Sequence, residues 1–259
     1  MEATYTVPIT KIKGESRFTT DDTLIREIAL EIMVNGETIA LLMATPIDQK
    51  LLAIGYLMSE GILSHVDDIA SMALENDGMR VVMEAKIDRE RAEKLNSEGI
   101  ISSGCGRGRS ANITPETIEA KVIRSDYTLS SSLLSKEMGQ FYTECPLYEA
   151  TGCVHTAKLY IDETTAFIAE DIAQHNTIDK AVGKALLAGA DITKAFLMVS
   201  GRLSSEMVAK AVMHQIPVIA SRTASTCLGL QIADKFGLTL IGFVRGDTMN
   251  IYKNPHRII

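Results

Sequence analysis

The chain contains no tryptophan, and only 7 Tyr and 6 Phe among its 259 residues, so it offers no run of stacking platforms for single-stranded nucleic acid. Positive charge is also in short supply. Against 33 Asp and Glu there are 26 Lys and Arg, a net charge of -7. An acidic protein without a concentrated basic patch suits neither nucleic acid nor an anionic membrane surface, so an anionic ligand has to be met locally. No window approaches the roughly 18 consecutive apolar residues of a spanning helix. The opening Met1-Glu2-Ala3-Thr4-Tyr5 lacks the basic-then-apolar layout of a secretion signal, and a cytoplasmic protein is expected. The four cysteines, Cys105, Cys145, Cys153 and Cys227, are widely spaced without a C-x-x-C pair, which indicates neither a disulfide framework nor a zinc ribbon.

What is present is enough apolar surface, 46% of residues, to bury the core of one large domain or two unequal ones. Residues 24–45 hold two β-rich runs either side of Asn35-Gly36, a dipeptide suited to a tight hairpin turn. Thr45-Pro46-Ile47-Asp48 then signals the start of a helix that closes at Gly61. A second hairpin is expected across Asn76-Asp77-Gly78, with residues 79–87 as its return strand and a charged surface helix over 88–98. Helices are expected from Thr114-Pro115-Glu116 and over 129–142, connecting two domains. From Val154 onward, short apolar runs alternate with amphipathic segments at 166–169, 178–187, 195–199, 205–213, 217–220, 227–236 and 238–244. That alternation predicts an α/β domain with a mostly parallel sheet covered by helices. The division falls into an α+β domain over 1–110 and an α/β domain over 111–259.

Between residues 98 and 113 the hydrophobic period disappears, and Ser102-Ser103-Gly104-Cys105-Gly106-Arg107-Gly108-Arg109-Ser110 has the composition of a surface loop. Glycines on either side and Arg107 and Arg109 nearby would lower the pKa of Cys105 and favour the thiolate, which suits sulfur or acyl transfer. An incidental surface cysteine is the alternative, and it runs against the usual preference of this residue for burial. Ligands of parallel sheets sit at the carboxyl ends of the strands, which singles out Glu170-Asp171, Ser200-Gly201-Arg202, Ser221-Arg222-Thr223 and Arg245-Gly246-Asp247. The arginines among them, Arg202, Arg222 and Arg245, match phosphate oxygens, and ordinary ion pairing is equally open for them. His175 and Asn176 stand at a helix start, where an imidazole can shuttle a proton and an amide can contact a base edge or ribose. Cys153, His155 and Cys227 raise a zinc deaminase, but Ala157 occupies the position of its catalytic Glu and no cysteine pair follows. No zinc or other metal is expected.

Several motifs taken together carry a family resemblance: Gly55-Tyr56-Leu57-x-Ser59-Glu60-Gly61-Ile62, the Cys105 loop and Thr151-Gly152-x-Val154-His155. Further along stand Glu170-Asp171-Ile172-x-x-His175-Asn176-x-x-Asp179-Lys180, Ser200-Gly201-Arg202-x-Ser204-x-Glu206-Met207 and Gly242-Phe243-x-Arg245-Gly246. In this order, across nearly the whole chain, they resemble the FdhD family of formate dehydrogenase accessory sulfurtransferases. The resemblance implies a homodimer whose C-terminal domain is a three-layer, cytidine-deaminase-like fold without the zinc. It also implies a persulfide carried by Cys105, with sulfur taken from a cysteine desulfurase and passed to the molybdenum bis-guanine-dinucleotide cofactor of formate dehydrogenase. By the same resemblance that cofactor lies against Phe243, Val244, Arg245, Gly246, Asp247 and Thr248, with Arg202, His175 and Asn176 nearby. The family's loop commonly reads Cys-Gly-x-Cys-Gly, whereas here Cys105 stands alone. A non-enzymatic chaperone that delivers the cofactor without moving sulfur is the alternative.

Overall fold

The computed structural model describes residues 1–97 and 113–259. At the start, β1 (Thr4–Lys13) and β2 (Ser16–Ile25) pair with each other alone, turning at Gly14, and project as a ribbon. Next comes a four-stranded sheet in the order β4-β3-β6-β5, built from β3 (Ile28–Val34), β4 (Glu37–Ala44), β5 (Ile69–Glu75) and β6 (Arg80–Ala85). Asn35 and Gly36 both take positive φ, 52° and 83°, as a two-residue turn matched to the strand twist requires. Strict alternation along β3 points Ile28, Leu30, Ile32 and Val34 inward, against helix α1 (Gln49–Ser59). Helix α2 (Arg89–Ser97) closes the same core with Ala92 and Leu95.

Helix signals at Thr114-Pro115-Glu116 yield only a turn, in which Thr117 N donates to Thr114 O at 3.2 Å. The chain beyond runs extended because it is tied along the C-terminal body. Ile123 N donates to Phe236 O at 2.8 Å, and the buried Arg257 guanidinium clamps the segment through the carbonyls of Ile123 and Ser125, each at 3.4 Å. Helices α3 (Ser131–Gln140) and α4 (Pro146–Thr151) follow.

The C-terminal body is a six-stranded sheet in the order β12-β11-β10-β9-β7-β8. Its strands are β7 (His155–Asp162), β8 (Thr165–Asp171), β9 (Phe196–Val199), β10 (Val218–Ser221), β11 (Thr239–Arg245) and β12 (Thr248–Lys253). The sheet expected to be mostly parallel is mixed: β9-β10 and β10-β11 are parallel, and the β7-β8, β7-β9 and β11-β12 pairs are antiparallel. Hydrophobic runs report burial on both faces, not strand direction, and two hairpins supply the antiparallel margins. Alternate residues of β9 feed two cores. Leu197 and Val199 face α5 (Gln174–Leu187), α6 (Ser205–Met213) and α7 (Cys227–Phe236), while Phe196 and Met198 face α3. The result is a three-layer α/β arrangement. Residues 28–95 enclose a separate core, and the expected boundary at residue 110 lies outside the described residues. The two parts meet where α1 crosses α5, with Gly55 and Gly183 at the contact. Among the described residues no helix is long and apolar enough to cross a membrane.

Candidate functional site

Three parallel strands and β8 end along one margin of the large sheet, and the helices that follow start there. Ser200 at the end of β9 is fixed by a reciprocal pair with Thr156: its amide donates to Thr156 O at 2.9 Å, and its Oγ accepts from Thr156 N at 3.0 Å. The same hydroxyl contacts His155 Nδ1 at 3.1 Å. Burial, then the nearby charge of His175 and more weakly that of Arg202, push the His155 imidazole below the ordinary histidine range, against the pull of Asp171. Gln174 Nε2 donates to Arg202 O at 2.9 Å, across Gly201, where a β-carbon would collide with the Gln174 side chain at 2.5 Å. Arg202, His175 and His155 are thereby gathered on one stretch of the margin.

A second stretch collects Arg222 and Arg245. Ser221 Oγ donates to Gly201 O at 2.7 Å and accepts from Thr223 N at 3.0 Å, which shapes the turn after β10. Arg245 Nε donates to the Arg222 carbonyl at 3.3 Å. The Arg245 guanidinium lies 5.4 Å from the centroid of the Phe243 ring, and Arg222 lies at the same distance over Tyr142. Phe243 is half-exposed at a bulge in β11, and its amide is held by Thr223 O at 3.0 Å. Gly246 and Asp247 form the turn into β12, and Thr248 Oγ1 donates to Arg245 O at 2.9 Å. Val244 is buried in the core beneath, so only its backbone faces this margin.

Asn176 has a different surrounding from His175. It is buried, and its amide donates to Met43 O at 2.8 Å and to Asp171 Oδ1 at 3.0 Å. Asp171 also accepts from Thr45 N at 3.1 Å and pairs with the buried Lys180 Nζ at 2.5 Å. These residues form a polar joint between the two parts of the chain. His175 Nε2, by contrast, pairs with Glu206 Oε2 at 2.8 Å and faces a cleft.

That cleft, about 670 Å³, lies between the two parts. Tyr56, Ser59 and Lys94 wall one side of it, and His175, Asp179 and Lys210 the other. Behind the wall, Ser59 Oγ donates to Asp179 Oδ1 at 2.7 Å and sits 2.8 Å from His214 Nε2. With the hydroxyl proton committed to the carboxylate, the imidazole is the donor to Ser59 Oγ. Burial holds His214 neutral, with its pKa lowered to about 4. Lys210 Nζ reaches both Asp179 oxygens at 2.8 and 2.7 Å and lies 5.5 Å from the Tyr56 ring centroid. Leu95 and Ile113, which flank residues 98–112, also line the cleft. Cys105, Arg107 and Arg109 lie outside the described residues. Sequence reasoning missed the Lys210 and His214 partnership because only folding brings α1 against α6; Ser59 and Asp179 did appear in the motifs, without a partner. Among the described residues no three His, Cys, Asp or Glu side chains cluster as a metal site would require.

Known proteins share this architecture and sequence. A family model described as the FdhD/NarQ family matches residues 25–259. The chain is 41% identical over 238 residues to the sulfur carrier protein FdhD of Wolinella succinogenes, covering 92% of this chain and 83% of that protein. It is 32% identical over 253 residues to the sulfur carrier protein FdhD of Staphylococcus aureus strain MRSA252, covering 97% and 95%. A crystal structure of a proposed formate dehydrogenase accessory protein from Desulfotalea psychrophila superposes with a TM-score of 0.82 at 26% identity, covering 100% of both chains.

Proposed function

This chain belongs to the FdhD/NarQ family, and from that premise we propose that it is a cytoplasmic, homodimeric sulfur carrier serving formate dehydrogenase. Cys105 takes sulfur from a cysteine desulfurase and passes it to the molybdenum bis-guanine-dinucleotide cofactor, which is the substrate of the protein. In the first step the Cys105 thiolate attacks the terminal sulfur of the desulfurase persulfide; a new S–S bond forms, the old one breaks, and the desulfurase thiolate leaves. Arg107 and Arg109 stabilise the thiolate and the persulfide. In the second step the terminal sulfur goes to the cofactor with the Cys105 thiolate as leaving group, and the reduced metal supplies the two electrons that convert sulfane sulfur to sulfide. A single loop cysteine suffices for both steps.

The observation that carries this reading is the position of the cleft. Leu95 and Ile113 line it, so the chain enters and leaves the Cys105 segment there, and His175 lines the same space while lying near His155 on the strand-end margin. The margin supports cofactor binding. Arg222 and Arg245 provide two guanidinium forks for phosphates, and Phe243 provides an exposed ring for a base. The three-layer body, with its ligand margin at the strand ends, supports reading the C-terminal part as cytidine-deaminase-like.

The test is the intact mass of the protein after incubation with a cysteine desulfurase and cysteine. The expected result is a sulfur-sized gain, reversed by reductant and absent from Cys105→Ala. A gain that persists in Cys105→Ala overturns the assignment of the carrier. Normal formate dehydrogenase maturation by Cys105→Ala sinks sulfur transfer and leaves cofactor delivery alone.

A further inference from the structure

His155 opens β7 on the strand-end margin, opposite Asp171 at the end of β8 and within reach of Ser200 beyond β9. Its two ring nitrogens have unlike surroundings. Nδ1 lies 3.1 Å from Ser200 Oγ, and that oxygen is held in place because it also accepts from Thr156 N at 3.0 Å. Nε2 has no hydrogen-bond partner among the described residues and is open to solvent. The Ser200 hydroxyl still has its own proton to give, and among the described residues His155 Nδ1 is the acceptor within its reach. The ring proton of a neutral imidazole then sits on the other nitrogen, Nε2, which is the open one.

The charged and titratable neighbours of this ring are His175, Asp171 and Arg202. Asp171 is committed to the joint: Oδ1 accepts from Ala173 N at 2.8 Å and Asn176 Nδ2 at 3.0 Å, and Oδ2 from Thr45 N at 3.1 Å and Lys180 Nζ at 2.5 Å. It therefore supplies no anion to the margin. His175 is paired with Glu206. Arg202 is exposed and has no carboxylate partner among the described residues. An open N–H donor near an unpaired guanidinium suits an anion with several oxygens, and a phosphate can accept from both at once. We propose that His155 Nε2–H donates to a phosphate of the bound guanine nucleotide, with Arg202 on the same phosphate and Ser200 as the positioning residue that fixes the tautomer. This rests on the cofactor reading of the margin and adds to it a contact that does not depend on charge. Burial and the charges of His175 and Arg202 keep the ring neutral, so the donor persists where an imidazolium would have lost its proton.

Long-range proton–nitrogen NMR of the His155 ring in the full-length chain at neutral pH should show a protonated Nε2 and a bare Nδ1 in wild type, and a mixture of tautomers in Ser200→Ala. Guanosine diphosphate should shift the Nε2 resonance, and inorganic pyrophosphate, which has no base, should shift it too. In calorimetric titration His155→Leu should bind guanosine diphosphate about tenfold more weakly than wild type. His155→Gln, whose amide brings a neutral donor close to the place of Nε2, should lose no more than about threefold. A wild-type ring protonated on Nδ1 would overturn the proposal, and so would a resonance that guanosine diphosphate shifts and pyrophosphate does not, which would assign the contact to the base. Equal binding by His155→Leu and wild type, or equal losses in the Leu and Gln variants, would also overturn it. Arg245→Ala separates this inference from the reading beneath it. If that variant loses the nucleotide while His155→Leu keeps it, the His155 contact falls and the cofactor margin stands; if wild type binds no guanosine diphosphate, the margin falls and the contact with it.

Discussion

Gly55 on α1 faces the backbone carbonyl of Asp179 on α5 so closely that a β-carbon at position 55 would stand 1.9 Å from the oxygen. The relationship is reciprocal, since a β-carbon at Gly183 would stand 2.2 Å from Leu51 O. Both obstacles are backbone, so no side-chain rotation relieves them. Gly55→Ala should therefore force the helices apart and cost about 3 kcal/mol. Urea unfolding of wild type and variant measures this, and a loss below about 1 kcal/mol would mean that the crossing gives way easily.

The same crossing buries Lys180 and Asp171, both fully inaccessible. Burial pushes the Lys180 ammonium down, and the Asp171 carboxylate pulls it back. Without that carboxylate, Lys180 keeps only the carbonyls of Thr45 and Glu170, each at 3.3 Å. Asp171→Ala should cost about 4 kcal/mol because it leaves a charge buried and unpaired. The double variant Asp171→Leu with Lys180→Met should be more stable than Asp171→Ala alone, and a double-mutant cycle in urea decides the matter.

Local signals made much of this fold legible. Helices α6 and α7 appear where the sequence indicates them, because Ser204 and Thr226 begin them and Gly237, at φ 71°, ends the second. Strand direction was not legible, since the antiparallel margins depend on which strands become neighbours. The ribbon escaped notice although Tyr5, Val7 and Ile9 alternate along β1, because Pro8 sits within that run and Asp21 and Asp22 interrupt the pattern along β2. Of the site, the strand-end arginines followed from alternation alone. The joint did not: Asn176 reads as a ligand contact until folding delivers Met43 O to its amide.

His214 sets a pH dependence. Its folded pKa, about 4, lies below the ordinary 6.5 because burial opposes the charge. As pH falls from 6.5, the unfolded chain takes up a proton that the folded protein refuses, so the stability present above pH 6.5 is lost progressively until about pH 4. The loss amounts to roughly 3 kcal/mol. Urea midpoints should fall across this window in wild type, and they should fall less steeply in His214→Gln. Equal slopes in the two proteins would remove His214 from the account.

Phe243 holds a backbone conformation, φ 52°, that bulky residues avoid, and its ring is half-exposed beside Arg245. Packing does not explain the choice, because an exposed ring gains little from its surroundings, and glycine would adopt this φ without strain. Strain retained at a bulge beside the Arg245 guanidinium fits the proposed use of the ring by a ligand. Phe243→Gly should raise the unfolding free energy by about 1 kcal/mol while weakening binding of guanosine diphosphate about tenfold through loss of base stacking. Calorimetric titration with that nucleotide, set against urea unfolding of the same variant, separates the two effects. Gain of stability with unchanged binding would leave the strain without a function, whereas loss of both would show that the ring supports the fold.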